Sequence, residues 1–597
     1  METTADKKKP SGARTWILDI SCIFALSCAL YLGLSFLRPL ASPDEGRYSE
    51  IPREMVSNSD YVTPRLNGMP YFYKPPMFYW IQAASIKHFG INRISLRAPN
   101  SLIAVFGIVM TYVAARALFD RKTAIFSAAI LSTSALYLAM GQIVTLDMAV
   151  AVFMSAAMFS FIVAIKRSGV WRWIWGLSFA AFMAAAVLTK GLIGVLIPCA
   201  VVFLYMLAIG WKNFWGQFGR SDIWLALAGV ALFMAIALPW HVLAALANPA
   251  FENAEGFLSK NGDGQGFLWY YIIHEHFLRY IDESTSMRYQ PAWFFFALAP
   301  VGLIPWVVFA PRALAEYVSD SRGQFRTKNT ELLYMAIWAA FIVCFFSISK
   351  SKLPPYITPI YPATAVLLGW WAARWWDGRS RAAPESWTLA ALGYLGAAAF
   401  VPIYFILDAK GKLYDPQYAA VAMSLCAAVM VVGASISVAL LLKRRTRAFA
   451  LSAFATVFCF MLFFNPIARI FQRPSSESLA KQIRPELGDD DAIVIYTDYG
   501  IYQDLPVWLE RLPVCVGNPP EEQKFGFMRE RGKHDSRFLD ADAGFARFAQ
   551  NRKGAIYMFA RTRDVERLQK LYPDAKLVGR EGFMAMMKID KKDNAGK

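Results

Sequence analysis

The sequence predicts a polytopic α-helical membrane protein with a small soluble α/β domain at its carboxyl end. Hydrophobic residues make up 56% of the 597-residue chain and charged residues only 18%. A soluble protein of this length needs more polar surface to cover its core. The chain also contains about thirteen apolar runs of the length that a bilayer requires, and its last part is polar.

The predicted transmembrane spans share a length of roughly 20 residues and are bounded by short polar loops. They lie near residues 15–38, 97–118, 123–140, 145–165, 172–189, 191–210, 222–247, 291–312, 332–348, 355–374, 387–407, 418–442 and 447–466. The first span follows Lys7, Lys8, Lys9 and Arg14, and no small-residue cleavage site follows it. This pattern predicts an uncleaved signal-anchor helix.

The basic residues fix the orientation of these spans. With the amino terminus in the cytoplasm, every cytoplasmic loop between spans carries Lys or Arg, as in Arg121-Lys122 and Lys443-Arg444-Arg445. This distribution follows the positive-inside rule, so the formal charge of +18 reflects membrane topology rather than a nucleic-acid surface.

This topology divides the chain into a transmembrane domain, 1–466, and an outer carboxyl-terminal domain, 467–597. Two long loops, 39–96 and 248–290, lie on the outer side with the tail. The tail contains strand-like and helix-like patterns that predict a small α/β domain. These patterns are Ala492–Tyr496, Asp564–Leu571, Lys576–Val578 and Phe583–Ile589.

Acidic residues occur at two places on the predicted outer face. Asp44 and Glu45 directly follow the first span, next to Arg47 and Tyr48, and Asp147 begins the fourth span. Such carboxylates can act as a base, orient an acceptor or bind a cation. The alternative is that they only cap helix amino termini. Because the two places lie at the same depth on the same face, Asp44, Glu45 and Asp147 are together the candidate catalytic residues.

Several cations occupy the same outer face, against the positive-inside bias. Lys190, Lys350 and Lys352 lie in tight outer turns, the last pair just before Tyr356, and Lys74 lies in the first outer loop. Cations at span ends often only reach toward lipid headgroups. Several on one face instead predict a phosphate or pyrophosphate site.

The second outer loop carries His274-Glu275-His276, followed by Arg279. Two histidines separated by one residue point to different faces of a helix, so they do not form a strong zinc motif. His274 with a remote carboxylate can still hold a metal, and Arg279 can pair with phosphate. An interfacial helix with aromatic and basic anchors is the alternative.

The sequence has neither a Walker loop nor a GxGxxG motif. A nucleotide cofactor or nucleotide-linked donor is therefore unsupported. A donor that already resides in the membrane fits this chain better.

An ordered set of motifs resembles the aminoarabinose lipid A transferases, which belong to the GT-C superfamily of polyprenyl-phosphate-dependent glycosyltransferases. The set comprises Asp44-Glu45-x-Arg47-Tyr48-x-Glu50-Ile51-x-Arg53-Glu54-Met55, Tyr71-Phe72-x-Lys74-Pro75, Leu146-Asp147, Thr189-Lys190-Gly191, His276-x-x-Arg279 and Lys350-x-Lys352-Leu353-Pro354-x-Tyr356. The resemblance covers most of the chain, including the thirteen-span layout and the soluble tail.

The resemblance implies transfer of 4-amino-4-deoxy-L-arabinose from undecaprenyl phosphate to a lipid A phosphate, on the periplasmic face of a bacterial inner membrane. It implies that Asp44 is the principal catalytic acid and Asp147 the second. It implies contacts from Lys74, Lys190 and Arg279 to the carrier phosphate, with Lys350 and Lys352 nearby.

The resemblance also implies a divalent metal, with His274 as a candidate ligand. One residue departs from the family pattern. Glu usually precedes the first-loop lysine, and Tyr73 stands there in this chain. This departure leaves open a different metal arrangement or a different sugar.

Two other functions remain as alternatives. One is transfer of another sugar to a glycan, lipid or protein. The other is a transporter that flips a lipid-linked sugar. Transporters usually place charges at mid-membrane and often show internal repeats. The predicted spans are nearly free of charge and the acids lie outside them, which favours the enzyme.

Overall fold

The computed structural model describes most of the chain, including the whole first outer loop, part of the second and nearly all of the tail. The described residues are 12–35, 39–251, 264–278, 290–322, 324, 327–349, 351–380, 450, 453–454, 457, 475–496, 499–530, 532–533 and 535–590.

Six helices of the described part are long and apolar enough to cross a membrane. They are Gly12–Leu34, Arg93–Leu118, Leu146–Ile165, Gly169–Lys190, Ser221–Ala247 and Thr330–Ile348. A shorter apolar helix, Ile193–Ile209, and the helix Ile360–Trp376 occupy two more predicted spans. The chain is therefore a multi-pass α-helical protein, as the hydropathy predicts. The predicted spans 387–407 and 418–442, and all but a few residues of 447–466, lie outside the described residues, so the count of thirteen stays a prediction.

Two predicted spans are interrupted. The span near 123–140 forms the helices Arg121–Ser132 and Ala135–Met140. At the break, the hydroxyls of Thr133 and Ser134 donate to the carbonyls of Ala129 and Ile130. Such side-chain hydrogen bonds compete with the backbone hydrogen bonds that would continue the helix. The span near 291–312 is divided into three short helical pieces, and Pro305 lies between the first and the second. These pieces are Phe294–Gly302, a 3-10 turn at Trp306–Phe309, and Ala310–Asp320.

The first outer loop begins with a helix, Asp44–Asn58, most of which is buried. A two-stranded hairpin follows, with β1 at Arg65–Leu66 and β2 at Met69–Pro70. Its two turn residues, Asn67 and Gly68, both have positive φ, at 54° and 81°, as a tight hairpin turn requires. The loop ends in the helix Met77–Phe89, which starts directly after Pro75-Pro76.

Buried charges stabilise the helix Asp44–Asn58 internally. Arg53 pairs with Glu50 at 2.6 Å, and both side chains are almost fully buried. Glu54, one turn further along, accepts a hydrogen bond from the backbone N–H of Gly68 at 2.9 Å. The helix and the hairpin are therefore fixed to each other through a polar interior.

The second outer loop is described only in part, as residues 248–251 and 264–278. Residues Trp269–Leu278 form a wide, π-type helical turn. Its aromatic residues Trp269, Tyr270 and Tyr271 are buried in one cluster with Phe72 of the first loop and Trp240 of the span Ser221–Ala247. The two outer loops therefore share an apolar interior above the membrane helices.

The tail forms the predicted α/β domain around a six-stranded sheet with the order β5-β4-β3-β6-β8-β7. The strands are β3 (Ala492–Ile495), β4 (Val514–Val516), β5 (Phe538–Leu539), β6 (Ile556–Arg561), β7 (Ala575–Glu581) and β8 (Met584–Ile589). Strands β5, β4, β3 and β6 run parallel, and β8 and β7 add an antiparallel edge. The helices of the tail are Glu477–Ile483, Leu505–Leu509, Glu521–Arg529, Ala541–Gln550 and Val565–Leu571.

Candidate active site on the outer loops

Asp44 stands at the amino terminus of its helix with half of its side chain exposed. The guanidinium of Arg47 lies one turn away, 3.8 Å from the Asp44 carboxylate. Arg47 is buried and is held from its other side by the tail, where Glu522 lies at 2.7 Å and Gln503 at 3.2 Å. An accessible carboxylate thus lies beside a fixed cation, an arrangement that keeps Asp44 oriented.

Glu45, by contrast, faces the protein interior and is 1% exposed. Its carboxylate pairs with the buried guanidinium of Arg97 at 3.1 Å and accepts backbone hydrogen bonds from Ala41 and Val144. These contacts connect the Asp44 helix to the span Arg93–Leu118 and to the segment before Asp147. Arg97 is not among the residues that the sequence predicts for the site. The signal that could have identified it is an arginine within a largely apolar run.

Asp147 and Lys190 form an ion pair between the ends of two spans. The sequence predicted both residues on the outer face but not the pairing. The Lys190 ammonium also lies 4.7 Å from the centre of the Tyr356 ring, a cation–π distance. Both charged side chains keep some exposure, 15% for Asp147 and 18% for Lys190, so the pair is accessible to a ligand.

Lys74 meets the second outer loop. Its ammonium lies 3.3 Å from one carboxylate oxygen of Glu275, which is 2% exposed. The other oxygen of Glu275 lies 3.3 Å from Nδ1 of His274. In the sequence, the feature that distinguishes Glu275 is its place between two histidines in His274-Glu275-His276.

A group of tyrosines connects these charges. The Tyr73 ring lies 5.1 Å from Tyr71 and 5.7 Å from Tyr270, and Tyr48 stacks on Tyr79 at 6.2 Å.

Burial raises the pKa of the Tyr71 hydroxyl, and Arg47 opposes the rise. Tyr71 therefore remains a neutral hydrogen-bond donor at physiological pH, within electrostatic range of Arg47, Glu522 and Glu275.

Lys352 differs from the other candidate cations because it is buried, with 4% exposure. Its ammonium donates to the backbone carbonyls of Gln290, at 2.8 Å, and Ser349. Burial lowers its pKa. Lys352 thus stabilises the turn after the span Thr330–Ile348. The predicted phosphate ligands Arg279 and Lys350 lie outside the described residues.

The fit of a metal rests on His274 and Glu275. Across the described residues, no three side chains of His, Cys, Asp or Glu come together as a metal-binding group. His274 and Glu275 supply two donors, and Glu275 is also paired with Lys74. A zinc site normally takes three or four protein ligands. The described residues therefore do not fit a complete protein-built metal site, and we derive no step through one.

Known proteins match this architecture. The family model of dolichyl-phosphate-mannose-protein mannosyltransferases matches residues 16–254. The undecaprenyl phosphate-alpha-4-amino-4-deoxy-L-arabinose arabinosyl transferase of Erwinia tasmaniensis is 28% identical over 66% of this chain and 67% of its own length. The corresponding transferase 1 of Proteus mirabilis is 31% identical over 65% of this chain and 66% of its own length. The aligned region thus spans about two thirds of each relative.

The crystal structures of ArnT from Cupriavidus metallidurans match nearly the whole chain. The apo structure gives a TM-score of 0.75 at 25% identity and covers 97% of this chain and 98% of that one. The structure bound to undecaprenyl phosphate gives 0.76 at 25% identity, with coverage of 98% and 100%.

These matches, together with the apolar spans and the α/β tail, identify the chain as a polyprenyl-phosphate-dependent glycosyltransferase of the GT-C type. Within that class, it belongs to the 4-amino-4-deoxy-L-arabinose transferase family.

Proposed function

We propose that this protein transfers 4-amino-4-deoxy-L-arabinose from undecaprenyl phosphate to a lipid A phosphate, on the periplasmic face of a bacterial inner membrane. The observation that carries the proposal is the match over 98% of the chain to an enzyme bound to undecaprenyl phosphate. The outer-face charges described above supply the chemistry that such a transfer needs.

The transfer brings two anions together, because donor and acceptor are both phosphates. An acceptor phosphate is already ionised near neutral pH, so removing its proton is not the main difficulty. Stabilising the departing polyprenyl phosphate matters more. We assign this role to Lys190 and Lys74, with Arg279 and Lys350 as further candidate phosphate ligands, because fixed charges in a partly dry site act strongly.

The carboxylates have different roles in this proposal. Asp44, half exposed beside Arg47, orients the acceptor or stabilises positive charge at the sugar carbon. Asp147 holds Lys190 in place. Glu45 and Lys352 act as positioning residues, because both are buried in contacts within the protein.

A divalent metal remains part of the proposal only through His274, with Glu275 as its neighbour. No step of the proposed transfer depends on this metal.

A second candidate is transfer of a different sugar by the same site. The observation that favours it is Tyr73, which stands where the family usually has Glu. Tyr73 packs against Tyr270 and Tyr71, so a cluster of aromatic rings stands at this position in place of a carboxylate.

Mass spectrometry of lipid A tests the proposal. We compare cells without the gene, cells with it, and cells carrying Asp44→Asn or the exposed tail variant Asp574→Asn. We expect a pentosamine mass increment with the wild-type gene and with Asp574→Asn, and its loss with Asp44→Asn. A different sugar increment would favour the second candidate. Unchanged lipid A in every strain would refute both the donor sugar and the acceptor.

A further inference from the structure

One helix of the tail, Glu521–Arg529, contacts both outer loops, and we call it the bridging helix. On the side of the first loop, Gly526 lies so close to Pro70 that an added Cβ would be 2.2 Å from the Pro70 carbonyl oxygen. On the side of the second loop, Arg529 donates to the carbonyl of Gln265 at 3.2 Å and lies 5.2 Å from the Phe251 ring. The bridging helix therefore holds the two loops at a defined spacing.

Phe525 is an aromatic residue of the bridging helix that packs against both outer loops at the candidate site. Its ring centre lies 4.1 Å from Tyr270 and 6.2 Å from Phe72, so it packs between the second and the first loop. Tyr270 stacks on the His274 imidazole at 4.7 Å. His274 adjoins Glu275, which pairs with Lys74. A continuous row of contacts thus runs from the tail to the Lys74 ammonium.

The second loop contains an unusual helix at the contact with Phe525. Trp269–Leu278 is a π-helix, a rare form that frequently occurs at functional sites. Its buried aromatic face packs in the cluster that includes Phe72 and Phe525. Phe525 itself is only partly buried and lies at the edge of that cluster, outside the apolar core of the sheet. Its apolar contacts therefore stabilise the loops.

We propose that the bridging helix sets the spacing of the two outer loops, and that Phe525 is a positioning residue for the group Lys74, Glu275 and His274. This inference rests on the proposed function, because Lys74 is assigned there to the carrier phosphate. It gives the tail a role in donor binding. Small displacements of charged groups are costly, because a shift of about 1 Å at a reactive site can reduce rates on the order of 100-fold.

The test uses the purified full-length protein and two variants of Phe525. We measure the dissociation constant of undecaprenyl phosphate, KM for the donor and KM for lipid A. We expect Phe525→Ala to raise the first two about tenfold or more and to leave KM for lipid A unchanged. Phe525→Leu, which keeps much of the apolar volume, should recover most of the affinity.

Phe583→Ala is the matched control, because Phe583 is exposed at the far hairpin of the same domain. A loss of folding lowers the amount of active protein without changing a dissociation constant, so affinity separates positioning from stability. Wild-type affinity in Phe525→Ala overturns the inference. If that variant does not fold, Gly526→Ala decides, because its new methyl group pushes the helix away from Pro70. Wild-type affinity in Gly526→Ala then overturns the inference.

The two proposals can fail separately. A wild-type protein that binds undecaprenyl phosphate but does not transfer aminoarabinose refutes the proposed function, and the affinity measurements still test the role of Phe525. A wild-type protein that transfers the sugar, with an unaffected Phe525→Ala variant, refutes only the inference.

Discussion

The ammonium of Lys190 pairs with the Asp147 carboxylate and lies 4.7 Å from the centre of the Tyr356 ring. The three residues come from three distant parts of the sequence and meet where the spans reach the outer face. An ammonium held by a carboxylate and an aromatic face keeps its charge and its position. A cation fixed in this way can stabilise the charge of a phosphate group.

The first prediction concerns this cation. We expect Lys190→Ala to lower kcat about 100-fold or more, because a fixed charge at the leaving phosphate is lost. Lys570→Ala, an exposed lysine in the tail, serves as the control and should keep full turnover. The measurement is transfer of labelled sugar in detergent or liposomes. Full turnover of a normally folded Lys190→Ala protein would show that Lys190 does not act on the leaving group.

The second prediction concerns Lys74. We expect Lys74→Ala to weaken binding of undecaprenyl phosphate about tenfold or more, because a charge-assisted hydrogen bond contributes roughly 1.5–3 kcal/mol. Lys87→Ala is the control, since Lys87 is exposed in the same outer loop. Native mass spectrometry or tryptophan fluorescence gives the affinity. Equal affinities of the two variants would remove Lys74 from the carrier site.

The third prediction concerns the buried pair of Glu45 and Arg97. Arg97→Ala leaves the Glu45 carboxylate buried without its guanidinium partner, which typically costs about 3–5 kcal/mol of stability. We expect a lower midpoint of thermal unfolding and a lower yield of folded protein. Arg547→Ala, on an exposed helix of the tail, should leave both unchanged. An unchanged midpoint in Arg97→Ala would contradict a structural role of the pair.

The fourth prediction concerns pH. Burial, followed by the nearby Glu50 charge, raises the pKa of Glu54 to about 8 from an ordinary value near 4.5. A raised pKa means that the folded protein binds the proton more tightly than the unfolded chain. The stability associated with this proton is complete below pH 4.5 and is lost as the pH rises through about 8.

Glu54→Gln carries a permanently neutral group at this position. We therefore expect its thermal midpoint to exceed that of the wild type by a few degrees at pH 9 and to differ less at pH 6. Glu566→Gln, at an exposed position of the tail helix Val565–Leu571, is the control. If the wild-type thermal midpoint stays constant as the pH rises from 6 to 9, Glu54 is ionised over that whole range.

Hydropathy predicted those parts of the fold that depend on local sequence. The spans Leu146–Ile165 and Ser221–Ala247 were predicted to within a few residues, because a bilayer selects for length and apolarity. The break at Thr133-Ser134 was not predicted, because it depends on hydroxyl hydrogen bonds and on Trp306, which donates to Thr133 from a distant segment.

The candidate site was predictable in composition but not in its pairings. Asp147 and Lys190 were both placed on the outer face by topology, and only the folded chain brings them into contact. Arg47 and Gln503 are 456 residues apart in the sequence, so no local pattern connects them. The pairing of Glu275 with Lys74 could not be predicted, because a carboxylate between two histidines resembles an ordinary interfacial residue.

The contacts of the buried Asp504 carboxylate can form only late in the synthesis of the chain. It accepts hydrogen bonds from Ser42, two residues before Asp44, and from Ser475 and Ser476 in the tail. Ser42 is among the first outer residues to be synthesised, and its partner follows 462 residues later. The region just before Asp44 therefore gains these contacts only after residues 475–504 have been synthesised. In a growing chain, the helix that carries Asp44 precedes by more than 400 residues the segment that fixes its start.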